Sequence, residues 1–273
     1  MKELDLALDL AQKAGKEILK LYESDAPIEE WKKQDKTCVT KADLVSNEII
    51  MEGLKKAFGN HAIMSEETDD DKTRFGNEHL WIFDPLDGTA DFKQRNGGFS
   101  IMIAYLHKNT PVVGVVYAPT RDTIYYAERG KGAFSIRDGE TKQLRVTQRD
   151  LDDAVLVLSR KDFTQEQAHK LARKFEAKGA LRSGSFGVKV ALILEGRADF
   201  YINNNPLLGE WDTAAPELIL SEAGGKTTDY DGKPLTYNKP NPLLLRGSIC
   251  STKAIHDLIL ANVEKYVPLK KSS

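Results

Sequence analysis

Apolar residues at the start of the chain recur at spacings of three and four, the pattern of an amphipathic helix with one buried face. They are Leu4, Leu8, Ala11, Ala14, Ile18 and Leu21. This spacing predicts a helix over residues 2–23. A second helix is predicted from about Lys41 to Phe58, because Gly59 and Asn60 follow as a stop signal. Its expected inward positions are Leu44, Ile49, Ile50 and Leu54.

The next part of the chain changes to short apolar segments separated by turn residues, which predicts strands. The segments are 62–65, 79–83, 99–107, 111–118, 123–129 and 132–137. Lys108-Asn109 and Arg129-Gly130 are links too short for the crossover that parallel strands need. We therefore expect a largely antiparallel sheet in this half.

Beyond Asp150, strand and helix patterns alternate, as they do in α/β proteins. Strands are predicted at 154–158, 198–202 and 248–251, and helices at 164–178, 188–195, 211–222 and 253–266. The change of pattern near residues 145–152 predicts an N-terminal subdomain 1–147 and a C-terminal subdomain 148–273. We expect the two subdomains to share a cleft.

The amino-acid composition limits the classes of partner that the protein is expected to bind. Of the 273 residues, 39 are Lys or Arg and 41 are Asp or Glu, which gives a net charge of −2. This balance argues against a broad basic surface for a nucleic acid polymer, although a local phosphate site remains compatible with it. The longest apolar stretches, 101–106 and 111–119, are much shorter than a membrane span, so no membrane partner is expected.

The expected compartment is the cytoplasm. The N-terminal string MKELDLALDLAQ carries acidic residues where a secretory signal would be apolar. The two cysteines, Cys38 and Cys250, lack the paired spacing of a zinc site and are expected to be reduced thiols.

The strongest chemical signal is the string DPLDGT. The predicted strand 79–83 ends in Asp84 and Asp87, three positions apart, and Gly88 permits close approach of a ligand to the backbone. Thr89 then begins a helical turn whose N–H groups are free. Two carboxylates beside exposed amides suit a hard divalent cation bridged to a phosphate. The alternative from this string alone is an Asp-rich turn that caps a helix.

Two further acidic elements are candidates to complete the site. Glu66 and Glu67 follow the predicted strand 62–65, and Asp212 opens the helix 211–222. Each has an ordinary alternative: a solvated acidic loop for the glutamates, and helix capping for Asp212. The chain lacks a Gly-x-Ser-x-Gly elbow and a Walker loop, and its five histidines have no ligand spacing. The turn Gly184-Ser185-Phe186-Gly187 is a weak candidate for ligand contact.

The strings DPLDGT and WDTAAPELILSEAGG together resemble the two signatures of the inositol monophosphatase superfamily, whose members are metal-dependent, lithium-sensitive phosphatases. The resemblance covers essentially the whole chain and includes the segments 40–43 and 65–67 in the expected order. It implies an α/β (α+β) fold, a layered α/β/α/β/α sandwich whose N-terminal sheet is largely antiparallel and whose C-terminal half alternates α and β.

The resemblance also implies the roles of single residues. The metal ligands would be Glu67, Asp84, the carbonyl of Leu86, Asp87 and Asp212, with Glu66 facing elsewhere. They would hold two or three Mg²⁺ ions, for which Mn²⁺ may substitute. The amides of Gly88 and Thr89 would hold the phosphate, and Asp212 would border the substrate. Asp43 and the Thr89 hydroxyl would orient or deprotonate the attacking water, without a phosphoenzyme.

Within the superfamily, the strings DPLDGT, WDTAAPE and YNKPNP look most like the 3′(2′),5′-bisphosphate nucleotidases, which remove the 3′-phosphate from 3′-phosphoadenosine 5′-phosphate. By that match, Ser185 and Lys189 would contact the nucleotide, with Ser159 and Arg160 nearby. Asp162 stands where animal relatives have His. The alternatives are an inositol monophosphatase, a fructose-1,6-bisphosphatase and a non-enzymatic binding module. The expected partner is a small phosphate ester, and the chain is expected to be a monomer or homodimer.

Overall fold

Helices and two large β-sheets alternate in the computed structural model of the protein, which describes residues 1–32 and 38–270. The helices are α1 (Lys2–Glu23), α2 (Lys41–Ala57), α3 (Thr89–Lys93), α4 (Gln165–Lys174), α5 (Phe186–Leu194), α6 (Glu210–Glu222), α7 (His256–Leu260) and α8 (Val263–Tyr266). The strands of the N-terminal half are β1 (Glu30–Lys32), β2 (Cys38–Thr40), β3 (Ala62–Ser65), β4 (His79–Asp87), β5 (Ser100–His107), β6 (Thr110–Ala118), β7 (Thr123–Glu128), β8 (Ala133–Arg137) and β9 (Glu140–Leu144). The strands of the C-terminal half are β10 (Val155–Ser159), β11 (Gly179–Ser183), β12 (Phe200–Asn203), β13 (Gly225–Thr228) and β14 (Ser248–Thr252).

The N-terminal sheet has seven strands in sequence order, from β3 to β9. β3 and β4 are parallel, and every later neighbouring pair is antiparallel, as the short links predicted. The C-terminal sheet has the order β11-β10-β12-β14-β13, with its first three strands parallel. β14 runs antiparallel to both of its neighbours.

The helices separate the sheets into five layers. α1 and α2 pack together against the outer face of the seven-stranded sheet, while α6 packs on its other face. α5 and α6 also contact strands of the five-stranded sheet, and α4 and α7 cover the remaining face of that sheet. Three hydrophobic cores fill the spaces between these layers. The predicted α/β/α/β/α sandwich is confirmed.

Several elements differ from the predicted ones for local reasons. Strands β9 (ETKQL) and β13 (GKTT) were missed because their polar sequences carry no apolar alternation, and β1, β2 and β11 were also missed. The helix predicted over 164–178 ends at Lys174, because Glu176 adopts a positive φ of 60°. The helix predicted over 253–266 is divided into α7 and α8.

The predicted buried face of α2 is confirmed at Ile50 and Leu54, which are fully buried, but the prediction is wrong at Leu44, which is 44% exposed. The polar residues Asp43 and Ser46 are buried in the first turns of the helix, near the end of β4. In the described part of the chain, no helix has both the length and the apolarity needed to cross a membrane.

Candidate active site

The end of β4 is shaped by its own sequence. Pairing with β5 shifts register between Asp84 and Asp87, where Pro85 has no N–H to donate. Gly88 follows with φ of 100°, and a Cβ at that position would lie 2.7 Å from the carbonyl oxygen of Gly98. Only glycine fits this close approach, which turns the chain directly into α3.

Three carboxylates converge at this turn. Asp84 and Asp87 come from β4, and Asp212 comes from the first turn of α6. One oxygen from each lies within 4.8 Å of the others. All three are carboxylate oxygens, the ligand type that hard divalent cations such as Mg²⁺ prefer.

Hydrogen bonds hold one oxygen of each carboxylate in place. Oδ1 of Asp84 accepts from the Leu86 N–H at 2.9 Å, and Oδ2 of Asp212 accepts from the Gly209 N–H at 2.6 Å. Oδ2 of Asp87 accepts from the Ser185 hydroxyl at 2.5 Å and from the Gly187 N–H at 3.0 Å. These bonds fix the orientation of the side chains, which is what a preorganised metal site requires.

Burial and mutual repulsion raise the pKa values of the cluster. Burial raises the pKa of Asp84 well above its usual value, and the charges of Glu66, Asp87 and Asp212 raise it further. Burial also raises the pKa of Asp212, with Asp87 and Glu66 as the next causes. The pKa of Asp87 is raised by burial, against the opposing charge of Lys189. Three like charges so close together favour a bound cation.

Glu66 lies close enough to this cluster for its charge to act on Asp84 and Asp212, although the resemblance implied that it faces elsewhere. Parallel pairing sets Ser65 opposite Phe83, so Glu66 follows beside Asp84, and its N–H donates to the Phe83 carbonyl at 3.3 Å. Its charge is the largest cause after burial that raises the pKa of Asp84. Glu67 is the second residue of the turn that follows β3, and its N–H donates to Ser65 Oγ at 3.2 Å. The metal role of Glu67 stays a prediction.

Asp43 and Thr89 meet beside the cluster. The Thr89 hydroxyl donates to Oδ1 of Asp43 at 3.1 Å. Oδ2 of Asp43 accepts from the N–H and the hydroxyl of Thr40, at 2.8 and 2.5 Å, in a capping box at the start of α2. Burial raises the pKa of Asp43 although these three bonds lower it. α2 is anchored here by Ser46, whose hydroxyl donates to the Pro85 carbonyl at 2.7 Å.

Two of the residues predicted to contact the nucleotide, Ser185 and Lys189, are buried. Ser185 is 1% exposed, caps α5 through the Val188 N–H and also contacts Ser100 Oγ at 2.7 Å. Lys189 is 4% exposed, donates to the Gly184 carbonyl and lies 4.8 Å from the centre of the Tyr201 ring. Both lie close to Asp87 and have protein partners of their own, and their contact with substrate stays a prediction.

Arg160 and Ser159 lie at the end of β10 and have protein partners of their own. Arg160 forms an ion pair with the buried carboxylate of Asp91, and its side chain is 33% exposed. The Ser159 hydroxyl bonds to Asp162, which also pairs with Lys270. These partners lower the pKa of Asp162 against the effect of its burial. Asp91 lies two positions after Thr89 in α3. Its ion pair with Arg160 therefore connects the end of β10 to the helix that carries Thr89.

The protein therefore has a layered α/β fold. The carboxylate cluster at the junction of its layers forms a site suited to hard divalent cations. Residues 2–267 match the inositol monophosphatase family over nearly the whole chain. The chain belongs to this family, and the resemblance found in its two signature strings is confirmed.

Similar proteins include named bisphosphate nucleotidases. The chain is 36% identical over 247 residues to the 3′(2′),5′-bisphosphate nucleotidase CysQ of Salmonella typhimurium, which covers 89% of this chain and 97% of that protein. The Escherichia coli K12 protein of the same name is 34% identical with the same coverage. The crystal structure of CysQ from Bacteroides thetaiotaomicron superposes with a TM-score of 0.76 and 32% identity, over 92% of this chain and 97% of that one.

An inositol monophosphatase is similar as well. The IMPase of Thermotoga maritima superposes with a TM-score of 0.82 and 30% identity, covering 98% of both chains. The fold is therefore shared by relatives with different names, and the substrate has to be argued from the site.

Proposed function

We propose that the protein hydrolyses the 3′-phosphate of 3′-phosphoadenosine 5′-phosphate by direct attack of water at a Mg²⁺-loaded carboxylate centre. The observation that carries this proposal is the meeting of Asp84, Asp87 and Asp212, within 4.8 Å, next to the bonded pair Thr89–Asp43. The substrate follows from the relatives that are 34–36% identical and are named for this activity.

The residues present fit a divalent metal. The donors are all oxygen, they are oriented by hydrogen bonds, and their mutual repulsion is relieved by a positive ion. Asp84, Asp87, Asp212 and the Leu86 carbonyl would hold Mg²⁺ or Mn²⁺. We assign the remaining ligand to Glu66 in preference to Glu67, because the charge of Glu66 acts on both Asp84 and Asp212. When bound, such ions lower the pKa of water and neutralise phosphate charge.

Thr89 and Asp43 would handle the proton of the attacking water. The Thr89 hydroxyl donates a hydrogen bond to Asp43. The lone pairs of its oxygen therefore remain available to accept a hydrogen bond from water. As the water oxygen bonds to phosphorus, its proton passes to Thr89 while the Thr89 proton moves to Asp43. The ester bond to the nucleotide 3′-oxygen breaks, that oxygen takes up a proton from a solvent water molecule and leaves as the hydroxyl, and Asp43 returns its proton to solvent. No covalent enzyme intermediate is required.

The remaining residues would bind and position the substrate. The free amides of Gly88 and Thr89 would hold the reacting phosphate, and Asp212 would border it. Arg160 and Ser159, at the end of β10, would face the distal part of the nucleotide. Ser185 and Lys189 would position Asp87 from behind. Lithium sensitivity and a cytoplasmic location belong to the same proposal.

Inositol 1-phosphate is the second candidate substrate, favoured by the fit to the Thermotoga maritima IMPase. Phosphate release with 3′-phosphoadenosine 5′-phosphate, inositol 1-phosphate and fructose 1,6-bisphosphate separates the candidates. We expect kcat/KM for the nucleotide to exceed that for inositol 1-phosphate by at least about tenfold, with activity lost in EDTA and reduced by lithium. Equal turnover of both esters would favour the second candidate, and release of phosphate in EDTA would contradict the metal centre.

A further inference from the structure

A cavity lies between β9 and the C-terminal end of α5, away from the carboxylate cluster. Its volume is about 350 Å³, and its lining includes Lys142, Arg145, Thr147 and Glu195. α5 has nine residues, so its two ends are about 13 Å apart. Asp87 accepts from the Gly187 N–H at the first end, whereas the cavity is lined by residues at the second.

The one acidic side chain in the lining is already neutralised. Glu195 lies 3.2 Å from Arg137, 3.5 Å from Arg197 and 3.7 Å from Arg121, and it also accepts a hydrogen bond from the Tyr125 hydroxyl. Three cations around one carboxylate leave an excess of positive charge at this wall of the cavity.

Two further cations, Lys142 and Arg145, have no acidic partner among the residues that the structure describes. Lys142 and Arg145 form no ion pair and no side-chain hydrogen bond within residues 1–32 and 38–270. Nη1 of Arg121 is buried and makes no hydrogen bond among the same residues. Buried polar atoms are rarely left in this state, so this nitrogen lacks a hydrogen-bond acceptor, although Glu195 lies 3.7 Å away. Two unpaired cations therefore line the cavity, and three more lie around its one carboxylate.

The end of α5 does not oppose a bound anion strongly. The carbonyl groups at a helix C-terminus carry partial negative charge, but the Gly196 carbonyl here accepts a hydrogen bond from Arg149 at 2.9 Å. Arg149 is itself paired with the buried carboxylate of Asp199 at 2.8 Å. This pair caps the helix end and adds no net charge to the cavity.

We propose that this cavity is a second anion site, which binds the phosphate group of a small molecule and is separate from the active site. The guanidinium of Arg145 suits bidentate contact with a phosphate, and Lys142 supplies a second positive charge. A volume of about 350 Å³ exceeds that of a lone oxyanion and lies within the range of small-molecule sites. Thr147 offers a hydroxyl for orientation.

Calorimetric titration of the full chain with inorganic phosphate at low salt tests the site, after metal ions are removed with EDTA and the EDTA is dialysed away. The metal-free carboxylate cluster repels the anion, so binding reports this cavity. We expect saturable one-to-one binding, weakened at least about tenfold by Lys142→Gln/Arg145→Gln. Glu195→Gln should instead strengthen binding, since it removes the only carboxylate of the lining. A second titration with adenosine 5′-monophosphate compares the affinity of the cavity for an organic phosphate with its affinity for inorganic phosphate. The ligand that binds more tightly indicates which class the cavity prefers.

The double variant Lys13→Gln/Lys170→Gln is the matched control, because it removes two exposed cations elsewhere. It should bind phosphate as the wild type does, and so should Asp87→Asn. Absence of saturable phosphate binding by the wild type would overturn the proposal. Equal weakening in the control would also overturn it, because the effect would then be one of total charge. None of these readouts depends on the substrate that the active site hydrolyses.

Discussion

The Thr89 hydroxyl donates to the Asp43 carboxylate over 3.1 Å, although 46 residues separate the two in the chain. Thr89 opens α3 and Asp43 lies in the first turn of α2, so two helix starts meet at one hydrogen bond. Asp43 accepts two further bonds from Thr40, which leaves its second oxygen directed at Thr89. The proton acceptor of the proposed reaction is thereby fixed before substrate arrives.

Thr89 and Asp43 are expected to act as one unit. Thr89→Ala and Asp43→Asn should each lower kcat at least about 100-fold, and the double variant should be little worse than either, because each single change already breaks the proton path. Steady-state kinetics of the wild type, the two single variants and the double variant complete a double-mutant cycle. Thr89→Ser keeps the hydroxyl and should retain most of the activity. Losses that multiply in the double variant would show that the two residues act independently.

Asp212→Asn should have opposite effects on stability and activity. It removes one of three carboxylates within 4.8 Å, so the metal-free protein should melt a few degrees higher, a gain of about 1 kcal/mol. With Mg²⁺, the same variant should lose activity at least about 100-fold. Melting curves in EDTA and in Mg²⁺ provide the test, and Asp152→Asn, at an exposed position, should change neither. A lower melting temperature in EDTA would contradict the repulsion between these carboxylates.

Lys189 is expected to serve the metal site, not one particular substrate. It is buried, and its charge lowers the pKa of Asp87 against the effect of burial. Lys189→Met should therefore reduce kcat/KM for 3′-phosphoadenosine 5′-phosphate and for inositol 1-phosphate by the same factor, about tenfold or more. Lys170→Met, at an exposed position, is the control. A loss confined to the nucleotide would instead support the contact with substrate that the sequence predicted.

His256 should make the protein less stable in mild acid. Its ring is fully buried between the hydroxyls of Thr228 and Ser251, at 2.9 and 2.7 Å, and burial lowers its pKa from 6.5 to about 4. Lys226 lowers this pKa further, and Asp257 opposes the shift. Between pH 6.5 and 4 the unfolded chain binds a proton that the folded protein does not. The contribution of this ring to the free energy of unfolding should therefore fall as the pH falls, by at most about 1.4 kcal/mol per pH unit, while the raised pKa values of Asp84 and Asp212 act in the opposite direction.

Denaturant unfolding at pH 7, 6 and 5 checks this slope. His256→Asn should remove the dependence that belongs to this ring, whatever its effect on stability at pH 7. The exposed His169 provides the control, since His169→Gln should keep the wild-type slope. The same slope in wild type and His256→Asn would show that the buried ring is not the source.

The sequence by itself was enough for the family, because two signature strings carry the resemblance, and through that resemblance it also indicated the layered fold and the cluster of aspartates. The alternation of apolar residues marks most strands, and the DPLDGT string carries Asp84 and Asp87 on one strand end. The sequence did not predict polar strands such as β9 and β13. These strands are held by backbone pairing with their neighbours, and their sequences carry no apolar alternation.

Only the tertiary structure decided which side chains face the cluster. Parallel pairing of β3 with β4 brings Glu66 beside Asp84, a register that no local pattern shows. The packing of α5 buries Ser185 and Lys189 close to Asp87, which the resemblance that predicted their contact with a nucleotide did not indicate. The direction of a side chain depends on contacts between segments far apart in the chain, and such contacts leave no periodic signal in the sequence.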